Sequence, residues 1–580
     1  MTQLASPSEK PPYVVNEKPL GTAKHVRIVG IGAGAGGINM IRTLRKHLTD
    51  YEHVFYEKND KVGGTWFENR YPGCRCDVPS HNYQFSWRPN PKWSNFFSTA
   101  EEIEQYLNTV CEEGHMLDSI KLQHKVVGAW WDETRGLWDL SVVNLKTGEE
   151  FRDEANFIID GSGILNNWRW PDIPNIKSFK GDLVHTANWP KDFDYTNKTV
   201  AIIGNGSSGI QLLPTIRPDV QKLYHFVRTP TWVIPPRIMT MKVMGGPAKA
   251  ILDEIELDEK ENFSQAQIER FTNDPVFYRK FVKAIERDIS GAFPILLNGG
   301  PVQKFAQAKA TEYMAAMLGG DEKLCKTLIP QFPLGTRRIT PAPGYLEALR
   351  APNTEVITEG ISSVVAEGIQ LESGEIIKLD AIVCATGFDN TFVPRFPIVG
   401  RYGNVQDRMR AETPKGYMSV ALPGVPNYFR PNAPIGHGSV FTLLEHVARY
   451  VARMIRKCQT EGIRAAAPSD AAVADYAEHV AAFMPRTAWA APGRSWFKGG
   501  KEDGPVTALH PGSRVHFFHM LERPRGEDWD FTYDFVDGGE RGSGNRFFYL
   551  GNGFSTRELV GPDTFDSTWY LDEEEAEKLS

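Results

Sequence analysis

The sequence predicts an α/β protein of two doubly wound units carrying a helical insertion. Three observations lead there: an apolar strand entering a glycine-rich turn and an amphipathic helix near residue 30, the same succession near residue 204, and a stretch from Met239 to Asp321 where strand–helix alternation gives way to helices. In the first, Val26-Arg27-Ile28-Val29-Gly30 suits a buried strand. Gly32-Ala33-Gly34-Ala35-Gly36-Gly37 comes directly after it, and Ile38, Ile41, Leu44 and Leu48 then recur at helical spacing. In the second, Val200-Ala201-Ile202-Ile203 runs into Gly204-Asn205-Gly206-Ser207-Ser208-Gly209, with Ile210, Leu213 and Ile216 on the next helix. In the third, Ala248–Leu257, Gln265–Thr272, Tyr278–Ile289 and Val302–Met317 read as helices, with Pro275, Pro294 and Gly299-Gly300 as breaks. A further helix, Val440 to Lys457, places Val447, Val451, Met454 and Ile455 on one face.

Both glycine turns have the chemistry of a phosphate cradle. The first glycine (Gly32, Gly204) permits the tight turn, the second (Gly34, Gly206) lets a pyrophosphate approach the backbone, and the third (Gly37, Gly209) lets helix and strand pack closely. The N–H groups of the helix start then hold the phosphates. The two units part at the end of the next strand. Val54-Phe55-Tyr56 ends at Glu57, twenty residues past Gly37, where a carboxylate accepts from ribose hydroxyls. The strand around Leu223 to Val227 ends at Arg228 and Thr229, and a cation there suits a 2′-phosphate that Glu57 would repel. These are therefore two Rossmann-like dinucleotide-binding units, the first for FAD or NAD and the second for NADPH. Together they imply hydride transfer from NADPH to a flavin.

The 580 residues are enough for three or four domain-sized units, and 24% charged with 41% hydrophobic residues excludes wholesale disorder. A net charge of −7 argues against nucleic acid as a partner. No apolar run reaches the roughly 18 residues of a membrane span, and Met1 to Lys24 lacks the apolar core of a signal peptide. Six cysteines in so long a chain fit a reducing compartment, so the expected location is cytoplasmic. Cys74-x-Cys76 is one residue short of a redox dithiol, and no Cys/His pair completes a metal site, so no metal is expected. Neither a zinc-protease helix motif nor a Walker-type phosphate loop occurs.

Phe179-Lys180-Gly181-Asp182-Leu183-Val184-His185-Thr186-Ala187-Asn188-Trp189-Pro190, between the two turns, resembles at every defined position the F-x-G-x-x-x-H-x-x-x-W-P fingerprint of Baeyer–Villiger monooxygenases. Gly63-Gly64-Thr65-Trp66 with Tyr71-Pro72-Gly73 and Asp77 resembles that family's second signature, and Ala385-Thr386-Gly387 a weaker flavin-monooxygenase landmark. The wording around Pro72–Ser80 and Gly335–Pro341 is most similar to the fungal secondary-metabolism branch.

The resemblance implies FAD and NADPH as cofactors and a ketone and O2 as substrates. It also implies a C4a-peroxyflavin that inserts one oxygen beside the carbonyl to give an ester or lactone. By resemblance the catalytic cation is Arg338 of Arg337-Arg338, with Arg337 near the 2′-phosphate, Asp77 positioning Arg338, and His185 orienting the linker between the units. Flavin contacts carried over are Thr65, Trp66, Phe67, Glu68, Arg75, Cys76, Val78, Tyr83 and Val440; Asn205, Ser207, Ser208, Ile210 and Trp496 are assigned to the nicotinamide nucleotide. His437, in Pro434-Ile435-Gly436-His437-Gly438, departs from a simple glycine-rich loop.

The expected layout is a flexible arm (1–24), the FAD-binding domain (25–170 and 390–571), the NADPH-binding domain (171–237 and 331–389), a helical insertion (238–330) and an acidic tail (572–580). Two alternatives stay open: a flavin N- or S-oxygenase, and an inactive cofactor-binding paralogue.

Overall fold

The computed structural model describes residues 13–235, 248–258, 260–413, 415–431, 434, 436–534, 545–560 and 564–572. The beginnings of the expected arm (1–12) and insertion (238–247), the acidic tail beyond residue 572, and Ile435 lie outside the described residues.

Two five-stranded parallel sheets form the frame. The first runs in the order Tyr428–Phe429, Phe157–Asp160, Val26–Ile31, Tyr51–Glu57, Ile120–Leu122. The second runs Thr354–Ile357, Lys222–Phe226, Thr199–Ile203, Ala381–Cys384, Asp182–His185. Their central strands are buried almost throughout, as a parallel sheet covered on both faces requires. In each sheet the strand entering the glycine turn is flanked by the next strand in sequence and by one returning from much later. This places both turns at the carboxyl ends of the strands, where open α/β sheets bind ligands.

The helix after the first turn, Ala35–His47, buries Ile38, Ile41 and Leu44 and carries Arg45 and Lys46 in its last turn, cations that suit the negative end of the helix dipole. Against it packs Val440–Thr460, capped by the Ser439 side chain accepting from Phe441 N–H and burying Val447, Val451, Met454 and Ile455. Asn39 Nδ2 donates to Leu444 O at 3.1 Å and fixes the crossing.

The insertion helices are Ala248–Glu254, Gln265–Asn273, Pro275–Gly291, Pro301–Met317 and Glu322–Leu328. Pro275 marks the expected break between the second and third of these helices and opens the third: it occupies the first turn, where its missing N–H costs nothing, and Asp274 caps it by accepting from Phe277 N–H at 2.9 Å. The insertion is bolted to the first unit through His81, whose ring sits among Phe263, Phe271, Tyr278 and Phe281 at 5.0–5.3 Å.

Three sheets with antiparallel pairing were not foreseen. One orders Gly403–Asn404, Ile398–Gly400, His124–Asp132, Leu137–Asn144 and Glu150–Ala155, with a single parallel pairing between 398–400 and 124–132; a second is Ile361–Val365, Gly368–Leu371 and Ile376–Lys378; the third pairs Ile463–Pro468 with Trp529–Tyr533. The arm expected to be free up to Lys24 is tied down over its described end. Leu20 N–H donates to Phe554 O at 2.7 Å and Lys24 N–H to Gln459 O at 3.0 Å, because backbone from two remote segments supplies acceptors that a local reading cannot see.

Candidate active site

At the first turn Gly32 has φ +92°, and a Cβ there would stand 2.6 Å from Gly161 O; one on Gly37 would stand 2.1 Å from Gly32 O. At the second, Gly204 has φ +105° with Ala385 O at 2.6 Å, and Gly209 meets Gly204 O at 2.1 Å. The outer glycines are thus demanded by the protein's own backbone. The middle ones are not: a Cβ on Gly206 meets nothing within 4 Å, and one on Gly34 meets only the Gly64 backbone, at 3.4 Å. Neither helix start carries a side-chain cap, so its leading N–H groups remain available to an anion. Both cradles therefore fit a dinucleotide pyrophosphate.

The strand ends diverge. Glu57 is 4% exposed; it accepts from Ala33 N–H at 2.7 Å and from Asn59 N–H at 2.9 Å. Burial raises its pKa, and the two backbone donors partly oppose that rise. Arg228 is exposed, just past the second strand. Arg337 shares its neighbourhood: burial lowers the Arg337 pKa first, and the charge of Arg228 lowers it further. Arg337 Nε donates to Arg494 O at 2.8 Å, tying the pair to the segment that carries the half-buried Trp496. Asn205 Nδ2 donates to Thr229 O at 3.0 Å, and the Ser207 hydroxyl lies 3.4 Å from that of Thr340, while Ser208 is half-buried and Ile210 packs inward.

Between the two cradles Arg338 and Asp77 form a bidentate pair, Nε to Oδ2 at 2.8 Å and Nη2 to Oδ1 at 2.7 Å. Arg338 Nη1 reaches Gly436 O at 3.3 Å. Burial works against the guanidinium's charge, but Asp77 outweighs it and the Arg338 pKa rises. Around the pair stand the buried Cys76 and Val78 and the edge-on rings of Trp66 and Tyr83, 5.4 Å apart. Tyr83 also packs edge-on to Phe441 at 4.7 Å, next to Val440 at the start of its helix. Thr65, Trp66, Phe67 and Glu68 form one short helix after Gly64, with Glu68 held by Lys58 at 2.8 Å. Burial pushes the Cys74 thiol up to about 12 and Cys76 well above its usual value, so neither is a reactive thiolate.

His185 ends the edge strand of the second sheet. Its Nδ1 accepts from Ala187 N–H at 3.1 Å, its Nε2 pairs with the Thr386 hydroxyl at 3.2 Å, and its ring stacks on Trp168 at 4.7 Å. Burial lowers its pKa to about 4, so it is neutral near pH 7. It links the long fingerprint to Ala385-Thr386-Gly387.

Other contacts were invisible to motif reading. Tyr71 donates to Gln211 Oε1 at 2.8 Å, Gln211 Nε2 donates to Arg75 O at 3.0 Å, and a Cβ on Gly73 would lie 2.2 Å from Thr215 Oγ1. The Tyr-Pro-Gly signature is thus a docking surface for the second glycine helix. Its glycine was the only hint of close approach.

Two nucleotide cradles meeting at one guanidinium–carboxylate pair are the framework of a two-cofactor flavin oxidoreductase, and similarity to known proteins narrows it. Residues 31–100 match the NAD(P)-binding Rossmann-like domain family. The FAD-binding monooxygenase moxY of Dothistroma septosporum is 36% identical over 561 residues, spanning 94% of this chain and 85% of that protein. The FAD-binding monooxygenase tazF of Aspergillus terreus is 35% identical over 540 residues, 92% of each. A Baeyer–Villiger monooxygenase of Streptomyces coelicolor is 31% identical over 516 residues, 86% of this chain and 91% of its own. Cyclohexanone monooxygenase from Rhodococcus sp. Phi1 bound to NADP+ superposes with a TM-score of 0.70 at 25% identity, over 88% of this chain and all of that one. The chain belongs to the Baeyer–Villiger family of flavin-dependent monooxygenases, and its cofactors are FAD and NADPH.

Proposed function

We propose that the enzyme converts a ketone, NADPH, O2 and a proton into an ester or lactone, NADP+ and water, acting on a secondary metabolite. The observation that carries this reading is the Arg338–Asp77 pair where the two cradles meet. Bound flavin supplies the chemistry of oxygen activation once NADPH has reduced it. The chain's own part is to hold, orient and stabilise. The Gly32–Gly37 turn and Glu57 take the pyrophosphate and ribose of FAD, and Gly204–Gly209 takes the pyrophosphate of NADPH. Arg228 and Arg337 take the 2′-phosphate, Arg337 adding a planar fork to its charge. Trp496 lines the nicotinamide nucleotide.

Arg338 is the catalytic residue, a fixed positive charge aimed at the oxygen that becomes negative as the carbonyl is attacked. Asp77 occupies one edge of the guanidinium and so sets which N–H groups face the reacting atoms. It is a positioning residue, as is the neutral His185 between the two units. The FAD-binding, NADPH-binding and insertion segments divide along these roles. Six unpaired cysteines agree with a reducing, cytosolic setting, and among the described residues no helix is long and apolar enough to cross a membrane.

The test is turnover of ketones of graded size with NADPH under 18O2. One ester oxygen should be labelled, and one NADPH consumed per ester. NADPH oxidation yielding only hydrogen peroxide across the series, or oxygen transfer to thioethers alone, contradicts the reading.

A further inference from the structure

The backbone from Cys74 to Cys76 leads directly to Asp77, and its two edges are held by different units. On one edge Ala100 N–H donates to Cys74 O and Cys76 N–H to Ser98 O, both at 2.9 Å and both within the first unit. Arg75 stands opposite Thr99 between those two bonds, so its own N–H and C=O turn to the other edge. Among the described residues no strand meets them there. The carboxamide of Gln211 does, from the second unit. Its Nε2 donates to Arg75 O at 3.0 Å, while its Oε1 lies 3.5 Å from Arg75 N and accepts from the Tyr71 hydroxyl at 2.8 Å. One buried side chain thus takes the place of a neighbouring strand's peptide.

Gln211 belongs to the helix Ser207–Ile216, whose uncapped start is the second phosphate cradle. It follows Ser207 by one helical turn, about 6 Å along the axis. Arg75 precedes Asp77 by two residues, a span of at most about 7 Å. The contact has little slack. A Cβ on Gly73 would stand 2.2 Å from Thr215 Oγ1 and 2.8 Å from Gln211 O, and Thr215 Oγ1 itself donates to Gln211 O at 3.0 Å. The other member of the Arg338–Asp77 pair is tied to the same helix. The Ser207 hydroxyl lies 3.4 Å from that of Thr340, which donates to Arg338 O at 3.5 Å. Those contacts are long, so the Gln211 route is the stiffer of the two. Both halves of the pair are therefore held in register with the start of one helix.

We propose that Gln211 is a positioning residue that couples the second cradle to the Arg338–Asp77 pair, so that a bound nicotinamide nucleotide and a correctly aimed Arg338 stabilise each other. A pyrophosphate on the helix start fixes the helix. Gln211 then fixes Arg75, and with it the carboxylate that orients the guanidinium. Coupling of this kind is reciprocal: if the nucleotide steadies Asp77, loss of Asp77 weakens the nucleotide. An apolar side chain at position 211 leaves Arg75 O without its partner and the two units in contact but out of register. This proposal rests on Gly204–Gly209 taking NADPH and on Arg338 being the charge at the reacting carbonyl.

The test measures NADP+ binding to the oxidised, FAD-loaded enzyme through its flavin absorbance, in the parent, Asp77→Ala, Gln211→Leu and the double variant. With Gln211 in place, Asp77→Ala should weaken NADP+ by about fivefold or more. In the Gln211→Leu background its effect should shrink to less than about twofold. Gln211→Glu keeps the size and the acceptor for Tyr71 but loses the N–H donor; it should give the same result, and it serves if Gln211→Leu loads too little FAD to titrate. In turnover with a ketone, Gln211→Leu should divert NADPH, O2 and a proton to NADP+ and hydrogen peroxide. Tyr71→Phe, which leaves the Arg75 pairing intact, should keep the parent's ratio of ester to peroxide. An Asp77→Ala effect of equal size in both backgrounds overturns the proposal, as does a Tyr71→Phe enzyme that diverts NADPH as Gln211→Leu does. Coupled NADP+ affinities with no ester from any of the proteins would sink the ketone reading and leave this one standing. Ester from the parent with additive affinities would do the reverse.

Discussion

In the first nucleotide unit the strand after the glycine turn ends in Glu57, buried and engaged by two backbone N–H groups; in the second it ends in Arg228, exposed and close to a second cation, Arg337. Behind these ends the units nearly superimpose in logic. A Cβ on Gly32 or on Gly204 would stand the same 2.6 Å from a carbonyl of the returning strand's loop, and one on Gly37 or on Gly209 the same 2.1 Å from its own turn's first carbonyl. Turn geometry is therefore a folding requirement met identically twice, and on the proposed reading the choice of cofactor is carried by the side chains beyond the next strand. A carboxylate there welcomes ribose hydroxyls; guanidinium forks welcome a phosphate.

The largest expected effect tests the shared half of the comparison. Gly37→Val drives a Cβ into Gly32 O, so FAD-loaded protein should not be recovered, whereas Gly206→Ala, with open space around it, should fold normally and lose affinity for NADPH alone. Equal recovery of the two variants, judged by flavin content and circular dichroism, would show that the turns are not packed in this way.

The differing half is tested at Arg228. Arg228→Ala should raise the KM for NADPH by about tenfold or more while leaving that for NADH nearly unchanged, since only the former loses a charge-assisted contact. A proportional rise for both nucleotides would place Arg228 outside the 2′-phosphate site.

A smaller effect should not distinguish the units at all. His81, in the first, and His225, in the second, are both pushed by burial to about 3 from the ordinary 6.5. The unfolded chain binds protons that the folded one refuses, so stability is fully present above about pH 6.5 and falls as pH drops below it. Melting temperature should therefore decline between pH 7.5 and 5.5 as one transition. A flat profile would contradict neutral burial of these rings.

Local signals in the sequence reached much of this. The parallel strands announced themselves as apolar runs, the turns by glycine spacing, and Glu57 and Arg228 by their distance from those turns. What escaped depends on residues far apart in the chain. The hairpins within 124–155 and 361–378 carry no motif. Gln211 looks like any polar helix residue, yet it joins Tyr71 to Arg75 across the units. His437 was conspicuous only as an oddity between two glycines; that its ring is buried with both nitrogens unpaired, next to a carbonyl that accepts from Arg338, shows only in three dimensions.

The central claim is that reduction and oxygen insertion are divided between the cradles and the charge where they meet. Arg338→Ala separates them most directly. NADPH-driven flavin reduction, monitored anaerobically by stopped-flow absorbance, should proceed near the parent rate, while ester formation in air falls by roughly 10²–10³-fold. Ester produced at the parent rate, or reduction lost in step with it, would contradict the account.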